Sequence, residues 1–320
     1  MMSRTFENLK NTTSMIGRQI KRIKPKRLRP GDPIGIVAPA SHFDSDLFSR
    51  GLTVLEGMGF RPVVTESLFE RHGYFAGTDA HRAEQVNRLF ADPEIKAVLC
   101  ARGGFGAMRL LSLLDFERIR RNPKALVGFS DISALHAAIN STCGLVTFHG
   151  PTVTTLAKAS KATRDSFYAA IAGEGVSDVR AEKGVLLKPG TASGPLAGGN
   201  LTTLCHLVGT PYQTSFSGSI ALFEDVDEAP YRIDRMLAQM KMAGSFDGIA
   251  GIALGSFRRC GRIESIYEVF SDAFKEDAIP ILAGFPFGHH RKNLTVPLGV
   301  AVTLDADRKM LRFDEPATRI

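Results

Sequence analysis

Leu126-Val127-Gly128-Phe129-Ser130-Asp131-Ile132-Ser133-Ala134-Leu135-His136 is the stretch whose reading sets the fold. An apolar run ends at Gly128, a tight turn presents Ser130, and a helix with apolar positions Ile132, Leu135 and Ile139 begins at once. This strand-turn-helix layout lifts a serine hydroxyl above a parallel sheet and aims the free N–H groups of a helix N-terminus at any oxyanion formed there. The match to the G-x-S-x-G elbow is incomplete, because Ile132 occupies the position two after the serine. Taken alone, Ser130 reads first as a helix cap, a place where Ser and Asp are common.

Working outward, short apolar runs alternate with helix-period segments. Strands are predicted over 34–38, 62–64, 95–100 and 125–128, and helices around Leu47 to Leu55, over 86–90, over 108–114 and over 131–140. Strands too apolar to face water, alternating with helices, predict a doubly wound, mostly parallel sheet covered on both sides. Between 161 and 191 the pattern weakens into a helix and a polar, Gly-containing linker. A second, smaller α/β unit follows, with Gly198-Gly199-Asn200-Leu201 opening a short helix, a strand over 220–223, a helix carrying Ile233, Met236, Leu237 and Met240, a strand over 249–254, and β segments near 300–304 and 310–313. The chain thus divides into a basic extension (1–26), a first domain (27–165), a linker (166–192) and a second domain (193–320).

The 320 residues, 44% hydrophobic and 23% charged, have an ordinary globular composition. The net charge of +7 is confined to one end: residues 1–30 hold nine Lys or Arg against Glu7, a balance of +8, which leaves −1 for the other 290. A basic nucleic-acid-binding face is therefore not expected, and the leader reads as a solvated extension. Cys100, Cys143, Cys205 and Cys260 are scattered without a CxxC pair, which argues against a zinc site or a disulfide framework. With no apolar run of signal-peptide or membrane-spanning length, a cytoplasmic location without membrane contact is the expectation.

A second turn, Ala101-Arg102-Gly103-Gly104-Phe105-Gly106, also follows a strand and opens a helix. Its glycines let backbone N–H groups approach a ligand, and could donate to an oxyanion beside the amide of Asp131. It fits neither dinucleotide nor P-loop spacing. A serine nucleophile needs a base, and the base a carboxylate to fix its tautomer. His289 lies in the Gly/Pro-rich loop Gly284-Phe285-Pro286-Phe287-Gly288-His289-His290, with His290 as rival; His149 ends another strand and is placed to line a pocket. For the carboxylate, the strand over 220–223 runs into Glu224 and Asp225, with Asp227 and Glu228 close behind, and spacing does not choose among the four.

Taken together, these segments resemble the LD-carboxypeptidase family of serine peptidases, which includes murein tetrapeptide carboxypeptidases and microcin-immunity peptidases. The resemblance runs from about Arg27 to Arg312 and is carried by Pro30-Gly31-Asp32 through Ser41, Arg102-Gly103-Gly104-Phe105-Gly106, Gly128-Phe129-Ser130-Asp131, His149-Gly150-Pro151, Gly198-Gly199-Asn200-Leu201, Phe223-Glu224-Asp225 with Tyr231-Arg232-Ile233-Asp234-Arg235, and Gly288-His289 before Asn293-Leu294. It implies a Rossmann-like N-terminal domain, a smaller C-terminal α/β domain, and a Ser130-Glu224-His289 triad assembled between them, usually in a homodimer. It further implies an oxyanion hole from the amides of Gly104 and Asp131, and no metal or cofactor. Phe105 stands where the family often has tyrosine. The activity implied is hydrolysis of the amide bond before a C-terminal D-amino acid of a muropeptide or other small peptide, with Arg102, Phe105, His149 and Arg232 as candidate substrate contacts. Two alternatives have their own signatures: cleavage of aminoacyl-nucleotide conjugates would call for an aromatic clamp, and a non-catalytic protein binding a small anion at 103–106 would leave Ser130 inert to acylating probes.

Overall fold

The computed structural model describes residues 21–320, so most of the basic leader lies outside the described residues. Its last part, read as solvated, instead packs on the body through its apolar positions. Ile23 bridges to Leu145 and Lys24 pairs with Glu315 at 2.5 Å, and Leu28, just past the leader, is buried.

The first lobe runs β1 (Pro33–Val37), α1 (Ser45–Gly57), β2 (Arg61–Val63), α2 (Asp79–Ala91), β3 (Ala97–Cys100), α3 (Phe116–Arg121), β4 (Ala125–Gly128), α4 (Ser133–Cys143), β5 (Thr147–His149), α5 (Val153–Leu156) and α6 (Lys161–Ile171). These five strands are all parallel, in the order β2-β1-β3-β4-β5. Every residue of β1, β3 and β4 is buried, which is why their sequences are unbroken apolar runs rather than alternating ones. From β1 the chain steps first to one side, then crosses back to the other, so a switch point opens between the carboxyl ends of β1 and β3, where ligands bind in open α/β sheets. The loops 38–41 and 101–106 leave from there.

The second lobe contains β6 (Val179–Arg180), β7 (Val185–Lys188), β8 (Thr191–Asn200), α7 (Leu201–Cys205), β9 (Ile220–Val226), α8 (Pro230–Met242), β10 (Gly251–Arg258), α9 (Ile263–Ala273), β11 (Ile281–Ala283), β12 (Val296–Leu298), β13 (Ala301–Asp305) and β14 (Met310–Phe313). Among the described residues its sheet has the order β6-β14-β13-β8-β9-β10-β11-β7, parallel from β8 to β11 and antiparallel elsewhere. The stretch read as a linker carries β6 and β7. Both are short strands at opposite edges of the sheet: β6 has two residues, and the Val185-Leu186-Leu187 run of β7 stays largely exposed. β12 leaves this lobe and joins the first sheet, antiparallel to β5 with Val296 opposite His149. Among the described residues no helix is long and apolar enough to cross a membrane. The four cysteines are buried and unpaired.

The lobes meet where α4 faces the end of β8. Ser133 Oγ accepts a hydrogen bond from the Asn200 amide at 2.9 Å, and both residues are buried. A Cβ at Gly199 would lie 2.4 Å from that hydroxyl, so only glycine permits the approach. Ser133→Ala leaves the Asn200 N–H buried without its acceptor and is expected to cost about 1–3 kcal/mol, read by calorimetry as a thermal midpoint lower by several degrees.

Candidate active site

Phe129 is fully extended and Ser130 follows at φ +66°, one of four non-glycine residues with positive φ among those described. A serine held in this sparsely populated region is strained, and such strain clusters at functional turns. The strain comes from reversing direction between β4 and the helix with no spare residue, and it leaves Ser130 half-exposed above the sheet. Gly128 is required beneath it, because a Cβ there would press to 2.9 Å against Ile132.

The loop 101–106 lies directly against this elbow. A Cβ at Gly103 would sit 3.0 Å from Ser130 Cβ and 3.3 Å from its hydroxyl. Gly104, at φ +112°, has no room for a side chain beside Ser41 Oγ, which accepts the Phe105 N–H at 3.1 Å. Among the described residues the Gly104 N–H has no backbone acceptor. Two buried side chains hold the loop. The guanidinium of Arg82, 0% exposed, donates to the carbonyls of Pro39 (2.6 Å) and Gly106 (3.0 Å) and pairs with Asp79. The Asp131 carboxylate accepts the Ala107 N–H at 2.8 Å, and burial pushes its pKa up to about 6 against the opposing effects of that hydrogen bond and of Arg82. Arg82 escaped the sequence reading because a helical arginine carries no local sign of burial.

On the other lobe, Glu224 is 0% exposed within β9. Its Oε2 accepts two hydrogen bonds from His289: Nδ1 at 2.7 Å and the backbone N–H at 3.0 Å. Gly288 makes this clamp possible, since a Cβ there would lie 2.2 Å from Oε2, and its φ of +83° is unsuited to other residues. The Gly288 N–H is fixed in turn by Asn293 Oδ1 at 2.8 Å. Burial alone would lower the His289 pKa, but the charge of Glu224 and its hydrogen bond, with help from Asp225, hold it above the ordinary imidazole value. Burial likewise pushes Glu224 upward and is outweighed by the facing histidines, so the carboxylate is held below its usual range.

The other candidates lie elsewhere. Asp225 is turned to Asn200 and Thr202, and burial with the neighbouring Glu224 charge raises it to about 6. Asp227 pairs with Arg259, and Glu228 faces Arg232 at 3.5 Å. His290 is exposed and accepts the Lys292 N–H. Of the four acids, Glu224 is the one hydrogen-bonded to His289. Arg102 donates to the His42 carbonyl, Phe105 is 68% exposed beside Tyr74, and Arg232 lies on α8 over Tyr231. His149, fully buried, approaches Glu224 Oε1 at 3.9 Å.

Ser130 and His289 make no hydrogen bond with one another among the described residues, but the Phe129 ring lies 4.9 Å from the imidazole. With His289, Phe129 lines a cleft of about 1180 Å³ between the lobes. Lys158, Arg180, Lys183, Arg258, Arg291 and Lys292 also line it, against Glu182 as the single lining acid among the described residues. None of these cations stood out in the sequence, because they come from four separate segments that only the fold gathers.

Comparison with known proteins agrees with this architecture. Residues 34–150 match the family model described as LD-carboxypeptidase N-terminal domain, and residues 193–304 that of the LD-carboxypeptidase C-terminal domain. The chain is 39% identical over 296 residues to the probable murein peptide carboxypeptidase of Bacillus subtilis, covering 89% of this chain and 92% of the relative. It is 30% identical over 325 residues to the microcin C7 self-immunity protein MccF of Escherichia coli, covering 90% and 94%. Among solved structures, the muramoyltetrapeptide carboxypeptidase from Oxalobacter formigenes superposes with a TM-score of 0.78 at 29% identity, covering 89% of this chain and 99% of that one.

The electrostatics of the Glu224–His289 pair can be checked directly. Glu224→Gln removes the charge and leaves the burial, so an NMR titration is expected to move the His289 pKa from above 6.5 in the native chain to below it.

Proposed function

This chain belongs to the LD-carboxypeptidase family and is a serine-type carboxypeptidase, and we propose that it removes a C-terminal D-amino acid from murein tetrapeptides through a Ser130-His289-Glu224 triad. The observation that carries this reading is the buried Glu224–His289 clamp, whose imidazole shares a cationic cleft with Phe129, the residue before the strained Ser130.

With Nδ1 committed to Glu224, Nε2 is the nitrogen left to act as base. It takes the Ser130 proton as Oγ bonds to the scissile carbonyl carbon, and the resulting imidazolium is stabilised by Glu224. The amides of Gly104 and Asp131 receive the oxyanion. Collapse of the tetrahedral intermediate breaks the C–N bond, the imidazolium gives its proton to the leaving amine, and an ester remains on Ser130. Water, deprotonated by the same histidine, then hydrolyses the ester and restores the serine. A carboxypeptidase must also bind a terminal carboxylate. The cleft cations, Arg258 foremost because its charge reaches His289, supply that attraction.

The similarity to MccF, together with the exposed Phe105 and its edge-on neighbour Tyr74 at 6.4 Å, supports a second reading in which the same triad cleaves aminoacyl-nucleotide conjugates, with these rings stacking a base. Turnover of a murein tetrapeptide against an aminoacyl sulfamoyl adenosine distinguishes the two. The homodimer implied by the family resemblance is part of the proposal and is tested by mass in solution.

Mass-spectrometric detection of D-Ala release is the decisive measurement. Ser130→Ala is expected to fold normally and lose about four orders of magnitude or more in kcat; retained turnover removes Ser130 from the mechanism. Because the base must be neutral and its pKa lies above 6.5, kcat/KM is expected to climb as pH rises through that range and then level off. Arg258→Ala is expected to raise KM about tenfold while changing kcat little; an unchanged KM assigns the terminal carboxylate elsewhere.

A further inference from the structure

His149 is 0% exposed, and neither of its ring nitrogens has a hydrogen-bond partner. A neutral imidazole keeps one N–H in either tautomer, so a buried donor is left unmet whichever nitrogen carries the proton. Native structures rarely leave such a group unpaired without a reason. The nearby acceptor is Glu224 Oε1, 3.9 Å from His149 Nε2, and this oxygen is equally buried and unpartnered because His289 uses only Oε2. The gap exceeds a normal N–H···O bond by about 1 Å.

The two groups ride on different lobes. His149 ends β5 in register with Gly128 of β4, whose carbonyl accepts both the Gly150 N–H (3.0 Å) and His136 Nε2–H (2.9 Å), which ties it to the strand that carries the Ser130 elbow, while β12 pairs along its other edge. Glu224 moves with His289, to which it is doubly bonded. A shift of about 1 Å between the two side chains closes the His149–Glu224 gap. We propose that His149 is a positioning residue: it donates Nε2–H to Glu224 Oε1, fixes the rotation of the carboxylate, and so holds His289 aligned for the reaction at Ser130. Glu224 then has both oxygens engaged, one by each lobe.

This inference rests on the triad reading given above, and two measurements separate their failures. The first compares D-Ala release by the native chain, His149→Leu, which fills the space without a donor, and His149→Gln, whose side-chain amide reaches near Nε2, with thermal unfolding as the check on folding. His149→Leu is expected to lower kcat by about 10- to 100-fold with KM within about twofold, and His149→Gln to recover most of that loss. Equal losses in the two folded variants, or a change confined to KM, overturn the proposal.

The second is a crystal structure of the native chain treated with a fluorophosphonate, which needs no viable variant and no cleavable substrate. A His149 Nε2 to Glu224 Oε1 distance of about 3.2 Å or less is expected in the adduct. Labelling of Ser130 with the gap unchanged overturns the role of His149 alone, whereas a chain that resists labelling at Ser130 overturns the triad and this inference with it.

Discussion

A carboxylate with no exposed surface is the constraint to which the second lobe is built. An ionised group in an apolar interior is costly unless its charge is met by hydrogen bonds and an opposite charge. Glu224 meets that condition with two donors from one residue, the ring and the amide of His289. Much of the surrounding sequence follows from it. Gly288 must lack a side chain because Oε2 occupies the space a Cβ would need. Asn293 fixes the Gly288 amide and so the path of the loop. Asp225, one residue along, is turned away and tied to Asn200 and Thr202, and its raised pKa reflects the burial of a second acid beside the first.

The first lobe meets a different demand, the close placement of a hydroxyl and backbone amides with no side chain between them. The positive φ of Ser130 and the glycine at 103 fit together, since a Cβ at Gly103 would press on Ser130, while Gly104 is kept bare by Ser41. Arg82 and Asp131 convert that arrangement into a rigid one by taking up the carbonyls and the amide at the ends of the loop. Together the two lobes present a histidine clamped by a buried carboxylate and a serine held on a strained turn, with a cationic cleft lined by His289 and Phe129.

Local sequence carried a good deal of this. Apolar runs within 34–38, 95–100 and 125–128 named the buried parallel strands because a strand covered on both faces has no polar alternation to blur it. The abrupt change from Gly128 to a helical pattern named the elbow, and the ordered motifs named the family that the two domain matches support. The linker at 166–192 hid β6 and β7, since strands of two and four residues at a sheet edge leave no period to read. The leader's basic composition likewise masked the packing of Ile23.

Sequence alone therefore determined the fold class, the elbow and the short list of acids and histidines, because each of these is written in the periodicity or backbone needs of consecutive residues. Tertiary structure decided which acid reaches His289, that Arg82 lies buried beneath the glycine loop, that cations from four segments share one cleft, and that His149 comes to face Glu224 from the opposite lobe. Those are distances between residues tens to hundreds of positions apart. They are set by how two sheets pack against each other, which no local pattern of residues records.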